Sequence, residues 1–140
     1  MTFTIPGEPV GKARPRVVRN GGRVHTYTPQ KTADYERRVR SEYLAAGGKH
    51  YGKQAVSVHI IAEFGIPKSA SKAKRQKMID MEILPTKPCD VDNLGKLILD
   101  SIQGVAYDND SCVVQLSVMK IYSCDPKVIV EVLAYGGETT

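Results

Sequence analysis

The chain has 140 residues, with 41% apolar and 25% charged, the composition of one globular domain large enough to bury a core. No run approaches the roughly 20 apolar residues that cross a bilayer, and Met1–Gly7 lacks the basic start and apolar stretch of a signal peptide. The net charge of +5 is unevenly spread: residues 1–77 carry 16 Lys/Arg against 5 Asp/Glu, and residues 78–140 carry 4 against 10, which suggests a basic surface for a polyanion and a separate acidic cluster.

In chain order, Thr2–Ile5 alternates and stops at Pro6-Gly7, as a short strand does. Residues 11–28 are basic and extended around the turn signal Asn20-Gly21-Gly22, which predicts a hairpin-like loop. Thr28 as N-cap and Pro29 at the first helical position open a helix. Tyr35, Val39, Tyr43, Leu44 and Ala46 give that helix its apolar face, and Gly47-Gly48 ends it. Gln54–Phe64 reads as a strand with Val56, Val58, Ile60 and Ala62 on one face and His59 on the other. Ser69–Asp80 reads as a strongly basic helix capped by Ser69 or Ser71. A third helix runs from about Asn93 to Gln103, its apolar stripe Leu94, Leu97, Ile98 and Ile102. Residues 112–122 form a strand, Ser123–Pro126 turns the chain, and Val128–Tyr135 is expected as its antiparallel partner. Strands and helices mix without strict βαβ alternation, which predicts a single α+β domain over residues 1–140 with a mixed sheet.

The chemistry concentrates at Lys87-Pro88-Cys89-Asp90-Val91-Asp92-Asn93-Leu94-Gly95-Lys96. Asp90 and Asp92, two apart on an extended segment, point to one side. Asp92 also stands where an N-cap would, so capping is the competing reading. Asp108 and Asp110 form a second acidic pair in a turn before a strand, where such residues are common for purely local reasons. The two pairs meet only if residues 104–110 double back along the intervening helix. Carboxylates gathered in one place need a cation. Carboxylate oxygens are hard ligands, which favour Mg²⁺, with Mn²⁺ as substitute, over zinc. Lys96 lies one helical turn from both Asp92 and Asp100. It is either an ion-pair partner or a cation that orients the attacking water and stabilises the transition state.

Lys12, Arg14 and Arg16 alternate along an extended segment and share a face; Arg19, Arg23 and Lys31 extend the patch, giving a basic segment of about residues 10–31 suited to phosphate contacts. Lys68, Lys72, Lys74, Arg75 and Lys77 make the second helix a further candidate for phosphate contact. The histidines share no ligand spacing. No base is placed to activate Cys89. An odd cysteine count, spaced 23 and 12 apart, gives neither a disulfide framework nor a zinc half-site and fits a reducing cytoplasm. No phosphate-binding loop, dinucleotide fingerprint or hydrolase triad is present.

Gly11-Lys12-Ala13-Arg14-Pro15-Arg16, Pro67-Lys68-Ser69, Asp90-Val91-Asp92-Asn93-Leu94-x-Lys96 with Asp100, and Asn109-Asp110-Ser111 together resemble the RusA family of Holliday-junction resolvases, especially its phage and prophage members. The resemblance spans about residues 3–135. It implies a small α+β homodimer that resolves four-way DNA junctions by paired Mg²⁺-dependent nicks in recombination and repair, within the bacterial nucleoid. By position it makes Asp90, Asp92 and Asp110 the metal ligands of an acidic site over residues 90–110, and Lys96 the catalytic lysine. Lys12, Arg14, Arg16, Lys72, Lys74 and Arg75 would then hold the DNA backbone. Two departures stand out. Asn109-Asp110, with Asp108 one place earlier, replaces the usual adjacent acids, and Cys89 stands where some members carry a basic residue. A two-fold dimer presents one site to each opposing strand, with Val114, Leu116, Val118, Val128, Val130 and Val132 as candidate interface. A non-catalytic branched-DNA-binding module and a less selective flap or fork nuclease are the competing functions.

Overall fold

The computed structural model describes residues 1–13, 16–27 and 29–136. The elements are β1 (Thr2–Pro6), β2 (Arg16–Asn20), β3 (Arg23–Tyr27), α1 (Gln30–Ala45), β4 (Val56–Gly65), α2 (Lys72–Ile79), α3 (Val91–Ile102), a 3₁₀ turn (Asp110–Cys112), β5 (Val113–Ser123) and β6 (Lys127–Ala134). β2 and β3 form a separate antiparallel hairpin across Gly21-Gly22, whose positive φ angles suit glycine. α1 begins one residue later than expected, with Pro29 as its N-cap rather than its first helical residue; Thr28, expected as the cap, lies outside the described residues. α2 is capped by Ser71, whose hydroxyl accepts the Lys74 N–H.

The main sheet has the order β1-β6-β4-β5, with β4 and β5 parallel and the other neighbours antiparallel. The architecture is α+β with a mixed sheet. One expectation is corrected: β5 and β6 do not form a hairpin, because β4 lies between them. β4 is the most buried of the long strands, with Val56, Val58, Ile60, Ala62 and Phe64 all buried on one face. A strand of that kind belongs inside a sheet. The Ser123–Pro126 turn therefore passes over the end of β4 and is pinned there, Ser123 accepting from the Ile66 N–H and Pro126 from the Gly7 N–H.

α1 and α3 cover the face carrying Phe3, Ile5, Val58, Ile60, Val128 and Val130. Tyr35, Val39 and Tyr43 on α1 and Leu94, Leu97, Ile98 and Ile102 on α3 supply the opposing layer. Leu44, read as part of the α1 apolar face, is 53% exposed. α3 lies close on β5: a Cβ at Gly95 would come within 3.0 Å of Leu116 and 3.3 Å of Val118. The expected interface is corrected in part too, since Val128, Val130 and Val132 are wholly buried in the chain's own core. Val114 and Leu116, on the edge strand β5, are exposed, and the outer sheet face presents Ile61 and Met119, paired across β4 and β5, with Leu133 farther along opposite Ser57.

Candidate active site

α3 and β5 run side by side in opposite directions, and that fixes where the acids stand. The start of α3 lies beside the far end of β5: the Lys120 ammonium donates to the Lys87 carbonyl, and Cys89 feels the charge of Lys120. The middle of α3, at Gly95, lies over Leu116 and Val118. Its end meets the beginning of β5, where the Asp110 N–H donates to the Gln103 side chain.

α3 begins earlier than the sequence suggests. The first intrahelical bond runs from the Leu94 N–H to the Asp90 carbonyl, and Lys12 N–H holds the Asn93 carbonyl at 2.9 Å. Asp90 is thus the N-cap position and Asp92 sits in the first turn, yet Asp90 makes no side-chain cap bond. Among the described residues Asp92 Oδ1 accepts only its neighbour's Asn93 N–H. The capping reading of Asp92 fails. Both carboxylates are exposed, and among the described residues neither has a cation within ion-pair distance.

Cys89, immediately before them, has φ 137°, a region costly for a residue with a Cβ and tolerated where the surroundings enforce it. The enforcing contact is Gly11, packed so closely that an added Cβ would lie 3.3 Å from both Cys89 Sγ and Asn93 Cβ. Burial pushes the Cys89 thiol up, against the downward pull of the Lys120 ammonium, which argues against a nucleophilic role. A cleft lined by Val10, Gly11, Lys31, Cys89, Asp90 and Asn93 opens here, between the basic segment and the acids.

Lys12 was expected at a phosphate, but its ammonium lies 2.9 Å from Glu36 and 3.6 Å from Asp100 and is only 18% exposed. Burial lowers its pKa, the two carboxylates raise it, and the net shift is upward. It ties the basic segment to α1 and α3. Asp100 also takes Lys96, at 3.5 Å, so one carboxylate holds the structural lysine on one side and the exposed candidate catalytic lysine on the other. Arg14 lies outside the described residues, and Arg16 is the first residue of β2. Lys72 and Lys74 are exposed on α2 and Arg75 is half-buried.

Asp110 stands at the other end of α3, a helix of 12 residues, or roughly 18 Å. Residues 103–109 do not double back; they stay at that end through the Gln103–Tyr107 bridge and the Asp108 N–H bond to Gly52. Within one chain Asp110 therefore does not meet Asp90 and Asp92, and among the described residues no three His, Cys, Asp or Glu side chains are grouped to hold a metal ion. The donors at the α3 start fit a hard divalent cation in chemistry and access, but one chain supplies only two of the three expected. Asp108 is 3.5 Å from His50, whereas Asp110 shares the Tyr107 hydroxyl's surroundings with Asp100. His59, on the outer face, lies 2.7 Å from the Ser117 hydroxyl. All three cysteines are free.

Sequence reasoning missed one cluster. Lys87 and Lys120 both place their ammonium over the buried Phe64 ring, 4.7 and 5.5 Å from its centroid. No sequence spacing links residues 64, 87 and 120; the β4–β5 pairing brings Phe64 and Lys120 together, and the Lys120 bond to the Lys87 carbonyl brings in the loop.

Comparison with known proteins closes the question of family. The Endodeoxyribonuclease RusA family matches residues 6–133. The chain belongs to the RusA family. A relative from Bacillus subtilis (strain 168), the uncharacterized protein YqaN, is 34% identical over 133 residues, covering 90% of each chain. Membership makes this RusA protein an endodeoxyribonuclease, a hydrolase of the junction-resolving kind. No helix is long and apolar enough to cross a membrane among the described residues.

Proposed function

We propose that this RusA protein is a Mg²⁺-dependent, structure-selective endonuclease that resolves four-way junctions by paired nicks in DNA recombination and repair, in the bacterial cytoplasm at the nucleoid. The observation that carries the reading is the pair of exposed carboxylates, Asp90 and Asp92, without capping bonds or, among the described residues, cation partners, beside a cleft walled by the basic segment. Asp90, Asp92 and Asp110 would hold the ion. A bound Mg²⁺ would make a coordinated water more acidic and neutralise charge developing on the phosphodiester. Lys96, steadied by Asp100, would place its ammonium near that charge. Arg14, Arg16, Lys72, Lys74 and Arg75 would hold backbone phosphates, while Lys12 fixes the segment that carries Arg14 and Arg16.

The separation of Asp110 from the α3 start favours a homodimer for a chemical reason beyond paired cutting. In a two-fold arrangement Asp110 of the partner subunit can complete the donor set at Asp90 and Asp92, and each subunit lends its own Asp110 in return. Val114 and Leu116, exposed on the edge strand β5 beside α3, are apolar surface available for that pairing. The same separation favours one competing reading, a branched-DNA-binding module without catalysis. Nicking of a synthetic four-way junction, with Mg²⁺, Mn²⁺ and Ca²⁺ compared in parallel, separates the two. Symmetric nicks with Mg²⁺ or Mn²⁺ are expected, and tight binding without cleavage in any of the three would overturn the nuclease assignment. Equal cutting of flaps and forks would instead mark a less selective nuclease.

A further inference from the structure

We propose that Lys87 and Lys120 form a binding site for one backbone phosphate of the DNA strand, next to Asp90 and separate from the basic N-terminal segment and α2. The inference rests on the nuclease reading above for its ligand and on the following geometry for its place.

Two ammonium groups converge on the ring of one buried phenylalanine, Phe64. A single lysine would satisfy the ring face, since a cation–π contact is worth only about 0.5–2 kcal/mol. The second contact comes from a lysine on a different element, so two cations share one apolar ring. Among the described residues neither ammonium has a carboxylate within ion-pair distance. The arrangement lacks an anion, and the side chains are held so as to receive one. Lys120 projects from the helix-facing side of β5, in register with Ala62. Its ammonium is fixed by a 3.0 Å bond to the Lys87 carbonyl, which also orders the loop that carries Lys87.

The ligand class follows from position. Asp90 lies three residues after Lys87, and the intervening Cys89 thiol feels Lys120, Asp90 and Lys87 together. An anion here would be a close neighbour of the acids. A free carboxylate would be a poor match for two lysines approaching from separate elements. A phosphodiester presents oxygens on more than one side and suits point-charge donors such as lysine. β5 also packs against α2, which carries Lys72, Lys74, Arg75 and Lys77.

The test uses the full-length protein and the variants Lys87→Gln, Lys120→Gln and the double. Junction affinity is measured by fluorescence anisotropy across a salt series. The double variant should bind more weakly and lower the log–log salt slope by about one phosphate's worth, near 0.9, while Lys87→Arg with Lys120→Arg keeps the wild-type slope. Thermal unfolding of each variant establishes that the fold persists. If Lys120→Gln unfolds, Lys87→Gln alone carries the test, with a smaller slope change of the same sign. A wild-type slope in a folded double variant overturns the proposal. A second arm does not depend on the nuclease reading: inorganic phosphate is titrated while the amide resonances of residues 87–90 and 120 are followed. Shifts confined to these residues in the wild type and lost in the double variant uphold the site even if junctions are neither bound nor cut. Where junctions are not bound at all, the absence of such shifts removes it.

Discussion

The two ends of α3 are built on opposite terms. At its end, Ile102, Ala106 and Tyr107 are wholly buried, the Tyr107 hydroxyl donates to the Leu99 carbonyl, and the Asp110 N–H is satisfied by Gln103. At its start the carboxylates are exposed and uncapped, Cys89 is held at a costly φ, and two lysines crowd one ring. A helix end designed for stability would exchange these features: a bonded cap, a relaxed backbone, paired charges. Departures from local rules that cluster in one place are expected at functional sites, where the rest of the fold sustains them. The comparison also teaches that one acid of the expected trio belongs to the stable end.

The sharpest way to break this contrast is to remove a carboxylate from the start of α3. Asp90→Asn or Asp92→Asn should lower junction cleavage by at least about a hundredfold, the scale of losing one transition-state-stabilising group. Junction binding should persist or tighten, since a negative charge near phosphate is gone. Thermal stability should hardly change, because both side chains are exposed and uncapped. A cleavage rate within a few-fold of wild type for Asp90→Asn would show that the start of α3 is not where hydrolysis occurs.

A sharper version asks whether the two ends cooperate across subunits. Asp90→Asn and Asp110→Asn should each be inactive alone. In a mixture, the heterodimer retains one site with an intact Asp90 and an intact Asp110 of the partner subunit, so nicking of one strand should return. If the three acids worked within one chain, both sites of that heterodimer would be damaged and mixing would restore nothing. The readout is single-strand nicking after co-refolding of the two variants.

Much of this contrast was legible beforehand, but not its geometry. The apolar stripe Leu94, Leu97, Ile98 and Ile102 gives α3 and its buried face directly, because helical periodicity follows from burial. The Asp90-x-Asp92 pair is visible because two acids before an apolar helix are unusual together. What could not be read was pairing. The Ser123–Pro126 turn has all the local features of a hairpin, yet β4 intervenes, since the tertiary demand to bury its apolar face outranks the turn. The same non-local placement puts Lys120 beside Lys87 and keeps Asp110 from Asp90. Lys12 shows the converse: its sequence context reads as a phosphate contact, and only packing reveals Glu36 and Asp100 on either side.

That burial predicts a different phenotype for Lys12 from that of its basic neighbours. Lys12→Met leaves Glu36 and Asp100 facing each other without their shared cation. With each group still about one-fifth exposed, the cost should be about 1–2 kcal/mol, read from urea midpoints. Arg14→Gln with Arg16→Gln should leave stability alone and flatten the salt dependence of junction binding. A Lys12→Met protein of wild-type stability would mean that the clamp contributes nothing in solution.

Alkaline pH probes the buried layer under both ends at once. Burial raises the Tyr35 and Tyr43 hydroxyls to about 12 and shifts Tyr107 upward as well. For a group whose folded pKa exceeds its unfolded value near 10, the stabilising contribution is complete below pH 10 and is lost as pH climbs through the folded value. The unfolded chain releases these protons first, so the folded state loses ground between about pH 10 and 12. Urea midpoints should be level from pH 8 to 9 and fall steeply above 10, more shallowly in Tyr43→Phe. An equal alkaline fall in Tyr43→Phe would assign the loss to other groups.

The smallest effect concerns Tyr35, on the α1 face toward Cys89 and Arg38. Its hydroxyl is buried and has no hydrogen-bond partner among the described residues, a state that costs about 1–3 kcal/mol relative to a satisfied or absent group. Tyr35→Phe keeps the ring, and with it the contacts to the core, while removing the unpaired oxygen. Stability should therefore stay level or rise by up to about 1 kcal/mol, and cleavage should be unchanged, because the hydroxyl touches neither acid. The ring's removal is a separate matter: Tyr35→Ala opens a cavity and should cost about 3–5 kcal/mol. If Tyr35→Phe instead destabilises by 1 kcal/mol or more, the hydroxyl has a partner in solution. A cleavage loss accompanying that destabilisation would place the partner at the Cys89 bend, coupling α1 to the start of α3.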